Sequence, residues 1–290
     1  MLPRLFLAVL CTVALAAGLV ACSGPAVLNA ITSKTGYSVQ KDLRYAEGER
    51  GTFDLYIPDG ASAKTPVVIF IYGGGWDSGD KGIYAFLGQS LASEGIAVAI
   101  PDYRVYPEVK FPGFVEDGAK AVSAIETAVH HGSGALPGGE HEIFLMGHSA
   151  GAQIAALLAL DRHYLTDAKA PTRRFSGFIG LAGPYDFLPL TEERYIRIFP
   201  KDLLAASQPV NFVGPHAPPM LLVAGSADTT VDPKNTLSLA AKVKAAGGTA
   251  EVDIVDGVAH IGAVSAMATA LPFNEKTIRG KVLAFIRSHS

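Results

Sequence analysis

The run Gly147-His148-Ser149-Ala150-Gly151 sets a serine between glycines at the point where a strand-like stretch ends and a helix-like one begins. Glu142 to Met146 reads as the strand and Ala152 to Leu160 as the helix. A strand that turns directly into a helix is so tight that a Cβ at the glycine positions would clash. The same turn leaves the serine hydroxyl exposed at the carboxyl end of the strand. A bare Gly-x-Ser-x-Gly pattern recurs by chance, so its flanks and its partners elsewhere in the chain decide its weight.

The rest of the chain alternates in the same way. Thr52 to Pro58 has the period of a strand, and Val67 to Tyr72 is a continuous apolar run of the kind that is buried on both faces. Ile96 to Ile100, Phe178 to Leu181, Met220 to Ala224 and Glu251 to Val255 read as further strands. Gly82 to Ser93, Phe114 to Val129, Leu237 to Ala246 and Glu275 to Arg287 read as helices. In the second of these, Val115, Ala119, Val122, Ile125 and Ala128 share one face. Strands alternating with helices predict an α/β class, a mostly parallel central sheet with helices on both faces. A chain of 290 residues, 49% of them hydrophobic, suffices for one large domain of this kind or two small ones. Residues 184 to 219 are the least regular. They form either an insertion over the carboxyl ends of the strands, near the site, or a long surface connection.

The N-terminus has the form of a targeting segment, with Arg4 ahead of the apolar stretch Leu5 to Val20. The sequence Leu19-Val20-Ala21-Cys22 resembles a bacterial lipobox. That resemblance implies cleavage before Cys22 and a lipid-modified first residue. An ordinary signal peptide and an uncleaved anchor are the alternatives, though the stretch is short against the roughly 20 apolar residues of a spanning helix. Ser23 stands where an aspartate would favour inner-membrane retention. The implied location is therefore the outer membrane, facing the periplasm. The expected division is a signal peptide over 1–21, a tether over 22–38 and a catalytic domain over 39–290. Both cysteines, Cys11 and Cys22, fall outside that domain, which leaves it without a disulfide or a thiolate metal site. A net charge of −3 and the lack of a basic run argue against a nucleic-acid partner. The histidines lack metal-ligand spacing and no phosphate-cradling glycine loop follows the first strand, so neither metal nor cofactor is expected.

A serine hydroxyl is a weak nucleophile unless a base takes its proton and a third group orients the base. His163 lies just past the helix after Ser149, His216 lies among prolines, and His289 is at the chain end. His260 follows the strand Glu251 to Val255 and the turn Asp256 to Ala259, which places it on a loop at a strand's carboxyl end. It is the expected base. Asp228, in the loop after Met220 to Ala224, is the expected acid. Asp232 is its rival and reads better as the cap of the helix starting near Pro233. Tyr72-Gly73-Gly74-Gly75-Trp76 follows a buried strand, and glycines let backbone N–H groups approach an oxyanion closely. Gly74, Gly75 and Ala150 are the expected donors. Trp76 and the tyrosines near the mouth either stack on a substrate or simply pack.

These motifs, in the chain order Ser, Asp, His, resemble those of the α/β-hydrolases. Over roughly residues 45 to 288 the chain is similar to esterases related to hormone-sensitive lipase and to carboxylesterase and feruloyl-esterase-like enzymes. The resemblance implies an α/β-hydrolase fold and hydrolysis of a small or medium carboxylic ester through an acyl-enzyme. An amidase-type reaction, such as that of an arylformamidase, is the alternative. An inactive lipid-anchored binding protein is a remote one. The glycine motif of such enzymes usually opens with histidine, and here Tyr72 stands instead. The segment Asp102 to Pro107, with Asp117, also resembles the family. Arg104 and Asp117 form an internal ion pair or are separately solvated; the sequence leaves both open.

Overall fold

Short apolar runs rich in valine and isoleucine pair into one eight-stranded sheet. The computed structural model describes residues 24–171, 174–270 and 276–290. The sheet strands are β1 (Tyr37–Arg44), β2 (Thr52–Pro58), β3 (Val67–Ile71), β4 (Ala97–Pro101), β7 (Ile143–His148), β8 (Gly177–Leu181), β9 (Met220–Gly225) and β10 (Ala250–Val255). A small hairpin, β5 (Gly132–Ser133) and β6 (Leu136–Pro137), stands apart. The order across the sheet is β1-β2-β4-β3-β7-β8-β9-β10. β1 and β2 run antiparallel to their neighbours, and every pairing from β4 to β10 is parallel. All residues of β2, β3, β4, β7, β8 and β9 are buried, so both faces are covered.

The helices are α1 (Gly24–Ile31), α2 (Ala85–Ala92), α3 (Gly113–His131), α4 (Ala150–Leu160), α5 (Arg162–Asp167), α6 (Glu193–Ile198), α7 (Lys234–Ala245), α8 (His260–Ser265) and α9 (Lys276–Ser288). The five longest segments of helical period, counting the one after Ser149, lie within three residues of α2, α3, α4, α7 and α9. The shorter α5, α6 and α8 were not anticipated. A helix of six residues has little room to display a period.

One expectation needs correction. The segment 22–38 is not a plain tether: it holds α1, and β1 begins within it at Tyr37. Asn29 docks α1 by donating to the carbonyls of Gly82 and Ile83 and accepting from the Phe86 amide. β1 itself is polar and half exposed, with a bulge between Gln40 and Leu43, so its hydrophobic signal is weak. An edge strand of this composition also discourages pairing with other chains. The signal peptide and Cys22 lie outside the described residues. Among the described residues no helix is long and apolar enough to cross a membrane.

Candidate active site

β7 delivers Ser149 and α4 starts at the next residue. Ser149 has φ 54° and ψ −127°, a conformation that an L-residue holds only when its surroundings enforce it. The enforcement is steric. A Cβ on Gly151 would overlap the carbonyl oxygens of Ile71 and Tyr72, so the helix start passes directly against the end of β3. The Ser149 amide donates to the Leu181 carbonyl at the end of β8, which ties the turn to the neighbouring strand.

The expected partners meet here. His260 Nε2 lies 2.8 Å from Ser149 Oγ, and His260 Nδ1 lies 2.8 Å from Asp228 Oδ2. The carboxylate of Asp228 is fully buried, and its Oδ1 accepts from the amides of Thr230 and Val231, at 2.9 Å each. With one oxygen held by the backbone, the other faces the imidazole. His260 therefore donates from Nδ1 and presents the lone pair of Nε2 to the serine hydroxyl. His260 is the first residue of α8 rather than a loop residue, a correction in local structure that leaves its placement after β10 intact. Asp232 lines the same cavity but does not pair with His260: its carboxylate accepts from the Lys234 amide at the start of α7. His163 pairs with Asp161, His216 accepts from Arg174 through its carbonyl, and His289 bonds back to Phe285.

Tyr72 answers the question raised by the missing histidine. Its ring is buried and stacks on Tyr103 at 4.7 Å and on Tyr84 at 5.7 Å between centroids. Burial, then the neighbouring Tyr103 and Asp102, raises its pKa, so the phenol stays protonated and donates to Asp102 Oδ1 at 2.8 Å. Tyr103 Oη in turn donates to the Tyr72 carbonyl at 2.8 Å. The loop that follows is thus anchored from below. Gly75 and Trp76 line a cavity of about 420 Å³ together with Ser149. Gly74 and Ala150 do not line it; each is the chain neighbour of a lining residue. The Ala150 N–H opens α4, where first-turn amides lack intrahelical acceptors.

Trp76 is 4% exposed and its indole N–H donates to Gln153 Oε1 at 3.0 Å. Its ring meets Phe199 and Tyr195 edge-on. It packs and lines the cavity at once. Most other lining residues come from 184–195, among them Asp186, Phe187, Leu190 and Tyr195, so the irregular segment is an insertion at the site. Arg104 and Asp117 form a two-bonded ion pair at 2.7 Å, the internal alternative of the two left open. Among the described residues no group of three or more His, Cys, Asp or Glu side chains is placed to hold a metal ion.

Sequence reasoning missed His148. It is buried against His260, with ring centroids 5.0 Å apart, and its Nε2 lies 3.3 Å from the His260 carbonyl. Its Nδ1 has no hydrogen-bond partner. Burial, and secondarily the nearby His260, pushes its pKa from 6.5 down to about 3. A histidine held neutral in the fold but protonated when unfolded stabilises the protein above pH 6.5, and that contribution is lost as pH falls from 6.5 toward 3. In His148→Gln the unfolding free energy should therefore decline less steeply over this window. Urea titrations at several pH values would measure it, and equal slopes in both proteins would remove His148 as the cause.

The BD-FAE family model matches residues 53–243, from β2 into α7, taking in Ser149 and Asp228 and ending before His260. A probable isoprenylcysteine alpha-carbonyl methylesterase of Arabidopsis thaliana is 27% identical over 246 residues, which is 77% of this chain and 51% of that protein. A kynurenine formamidase of Salmo salar is 29% identical over 174 residues, 56% of this chain and 55% of that protein. The chain thus spans about half the length of these curated relatives. Among solved structures, an esterase B from Lactobacillus rhamnosis inhibited by a tributyrin phosphonate is similar in fold, with a TM-score of 0.76 at 20% identity. That match covers 100% of this chain and 96% of the other. The sheet order, the serine turn and the family match to about two-thirds of the residues agree: the chain belongs to the BD-FAE family, on an α/β-hydrolase fold.

Proposed function

We propose that the chain is a serine hydrolase that cleaves a carboxylic ester of a small or medium-sized molecule. The observation that carries this reading is the unbroken hydrogen-bonded chain from Ser149 through His260 to Asp228, at the mouth of a cavity. Esterase names among the relatives support the same reaction class. The substrate carbonyl oxygen points at the N–H groups of Gly75 and Ala150, with Gly74 beside them. Ser149 Oγ attacks the carbonyl carbon as its proton passes to His260 Nε2. Negative charge builds on the carbonyl oxygen and is met by hydrogen bonds from these amides. The imidazolium is stabilised by Asp228, which keeps its own negative charge. His260 then gives the proton to the leaving alcohol. Water, deprotonated by His260, attacks the acyl-enzyme and releases the acid and the free serine.

The same geometry serves an amide, and the kynurenine formamidase relative favours that as the second reading. We further propose that Cys22 carries a lipid anchor and that the protein faces the periplasm from the outer membrane. The lipobox-like sequence supports this.

Three outcomes are expected. Ser149→Ala should lower turnover of a short-chain p-nitrophenyl ester by roughly 10⁴-fold or more, and Asp228→Asn by a comparable factor. Full activity in a folded Ser149→Ala variant would sink the triad. Turnover of short acyl esters should exceed that of a formyl-aryl amide, and the opposite ranking would select the amidase reading. Cys22→Ser should move the protein from the membrane fraction to the soluble fraction of a bacterial host; an unchanged distribution would remove the anchor.

A further inference from the structure

Three consecutive residues of the loop after β3 have positive φ: Gly74 at 145°, Gly75 at 59° and Trp76 at 64°. Trp76 is not a glycine, so its conformation is costly and needs bracing from outside the loop. Part of the bracing is local. Ser78 donates to the Gly74 carbonyl through both its amide and its hydroxyl, and the Asp77 amide points at the same oxygen. Another part comes from two other segments: Gln153, on α4, receives the Trp76 indole N–H, and Tyr106, between β4 and α3, donates its amide to the Trp76 carbonyl.

The remaining brace comes from the insertion. Arg194, on α6, donates through Nε and Nη2 to the two carboxylate oxygens of Asp77, 117 residues away in sequence. The guanidinium lies so close over Gly75 that a Cβ there would overlap Arg194 Nη2. The next residue, Tyr195, meets the Trp76 ring edge-on at 5.6 Å and lines the cavity. The fork of one side chain therefore holds Asp77, two residues after Gly75, and covers Gly75 itself, while its neighbour Tyr195 forms part of the cavity wall.

We infer that Arg194, acting through Asp77, is a positioning residue for the oxyanion donors, and that the insertion completes the catalytic site as well as covering it. The inference rests on the proposed hydrolase reading. Partial exposure limits what the pair contributes to stability. About half of the Arg194 side chain and a quarter of that of Asp77 are exposed, and exposed ion pairs typically contribute only modestly to folding. What a two-bonded fork contributes is direction, which a lysine's single ammonium cannot reproduce. Donor placement matters because a displacement of about 1 Å at such a site costs on the order of 10²-fold in rate.

The test uses the whole chain and compares Arg194→Ala, Arg194→Lys, Asp77→Asn and the charge-reversed pair Asp77→Arg with Arg194→Asp. For a p-nitrophenyl ester, kcat should fall about 10- to 100-fold in Arg194→Ala and in Asp77→Asn, with KM changed less than threefold. Affinity for an alkyl boronic acid, which mimics the tetrahedral state at Ser149, should fall by the same factor as kcat. Arg194→Lys should recover little, and the reversed pair should recover more than either of its single changes. Urea midpoints should stay near that of the parent. Parental kcat and boronate affinity in folded Arg194→Ala and Asp77→Asn would overturn the inference, as would losses that track a lowered urea midpoint. Fluorophosphonate labelling of Ser149 in the parent separates the two levels. A parent that does not label defeats the hydrolase reading itself, whereas a labelled parent with fully active variants defeats only the role of Arg194.

Discussion

The close approach of three backbones at Gly151 is the constraint on which the site depends. The end of β3, the end of β7 and the first turn of α4 meet where no side chain fits. That contact holds Ser149 in a conformation it would not adopt alone, and it sets the start of α4 beside the loop that leaves β3. The proposed nucleophile and the groups proposed to stabilise its product are therefore positioned by one packing event. The parallel sheet supplies the rest of the alignment. Its strands end on one edge, so the segments after β3, β7, β9 and β10 bring Gly75, Ser149, Asp228 and His260 together from distant parts of the chain.

Buried polar groups around this edge are, with few exceptions, paired. Asp228 spends one oxygen on two amides and the other on His260, which leaves it no alternative orientation. Tyr72 is kept protonated by burial and bonded to Asp102, which also receives the Lys81 amide. A polar group left without a partner in such surroundings costs about 1–3 kcal/mol. The Nδ1 of His148 is one of the exceptions among the described residues, and its ring lies 5.0 Å from that of His260 between centroids. A neutral ring there places no second positive charge beside the imidazolium proposed to form during the reaction.

Much of this was legible in the sequence because it follows from local periodicity. Ser149, Asp228 and His260 each come after a strand whose apolar pattern is strong, and their order along the chain narrows the choice of partners. Elements were missed where periodicity is weak. β1 is a polar edge strand, and α5, α6 and α8 are six-residue helices. α1 is only eight residues long and docks through Asn29 and the partly buried Leu28, too short a stretch to show a period in the sequence.

The sequence by itself determined the α/β class, the turn that presents the serine and the identity of its partners, because strand and helix periods and glycine crowding are local properties of the chain. Only the tertiary structure decided between the alternatives that involve distant groups. It brought Arg104 onto Asp117, set Tyr72 into an aromatic stack, and placed residues 184–195 on the cavity. It also closed Arg194 onto Asp77 across 117 residues. The insertion has no period from which its path could be derived. Its course depends on which aromatic rings and charges it meets when it packs over the ends of the strands.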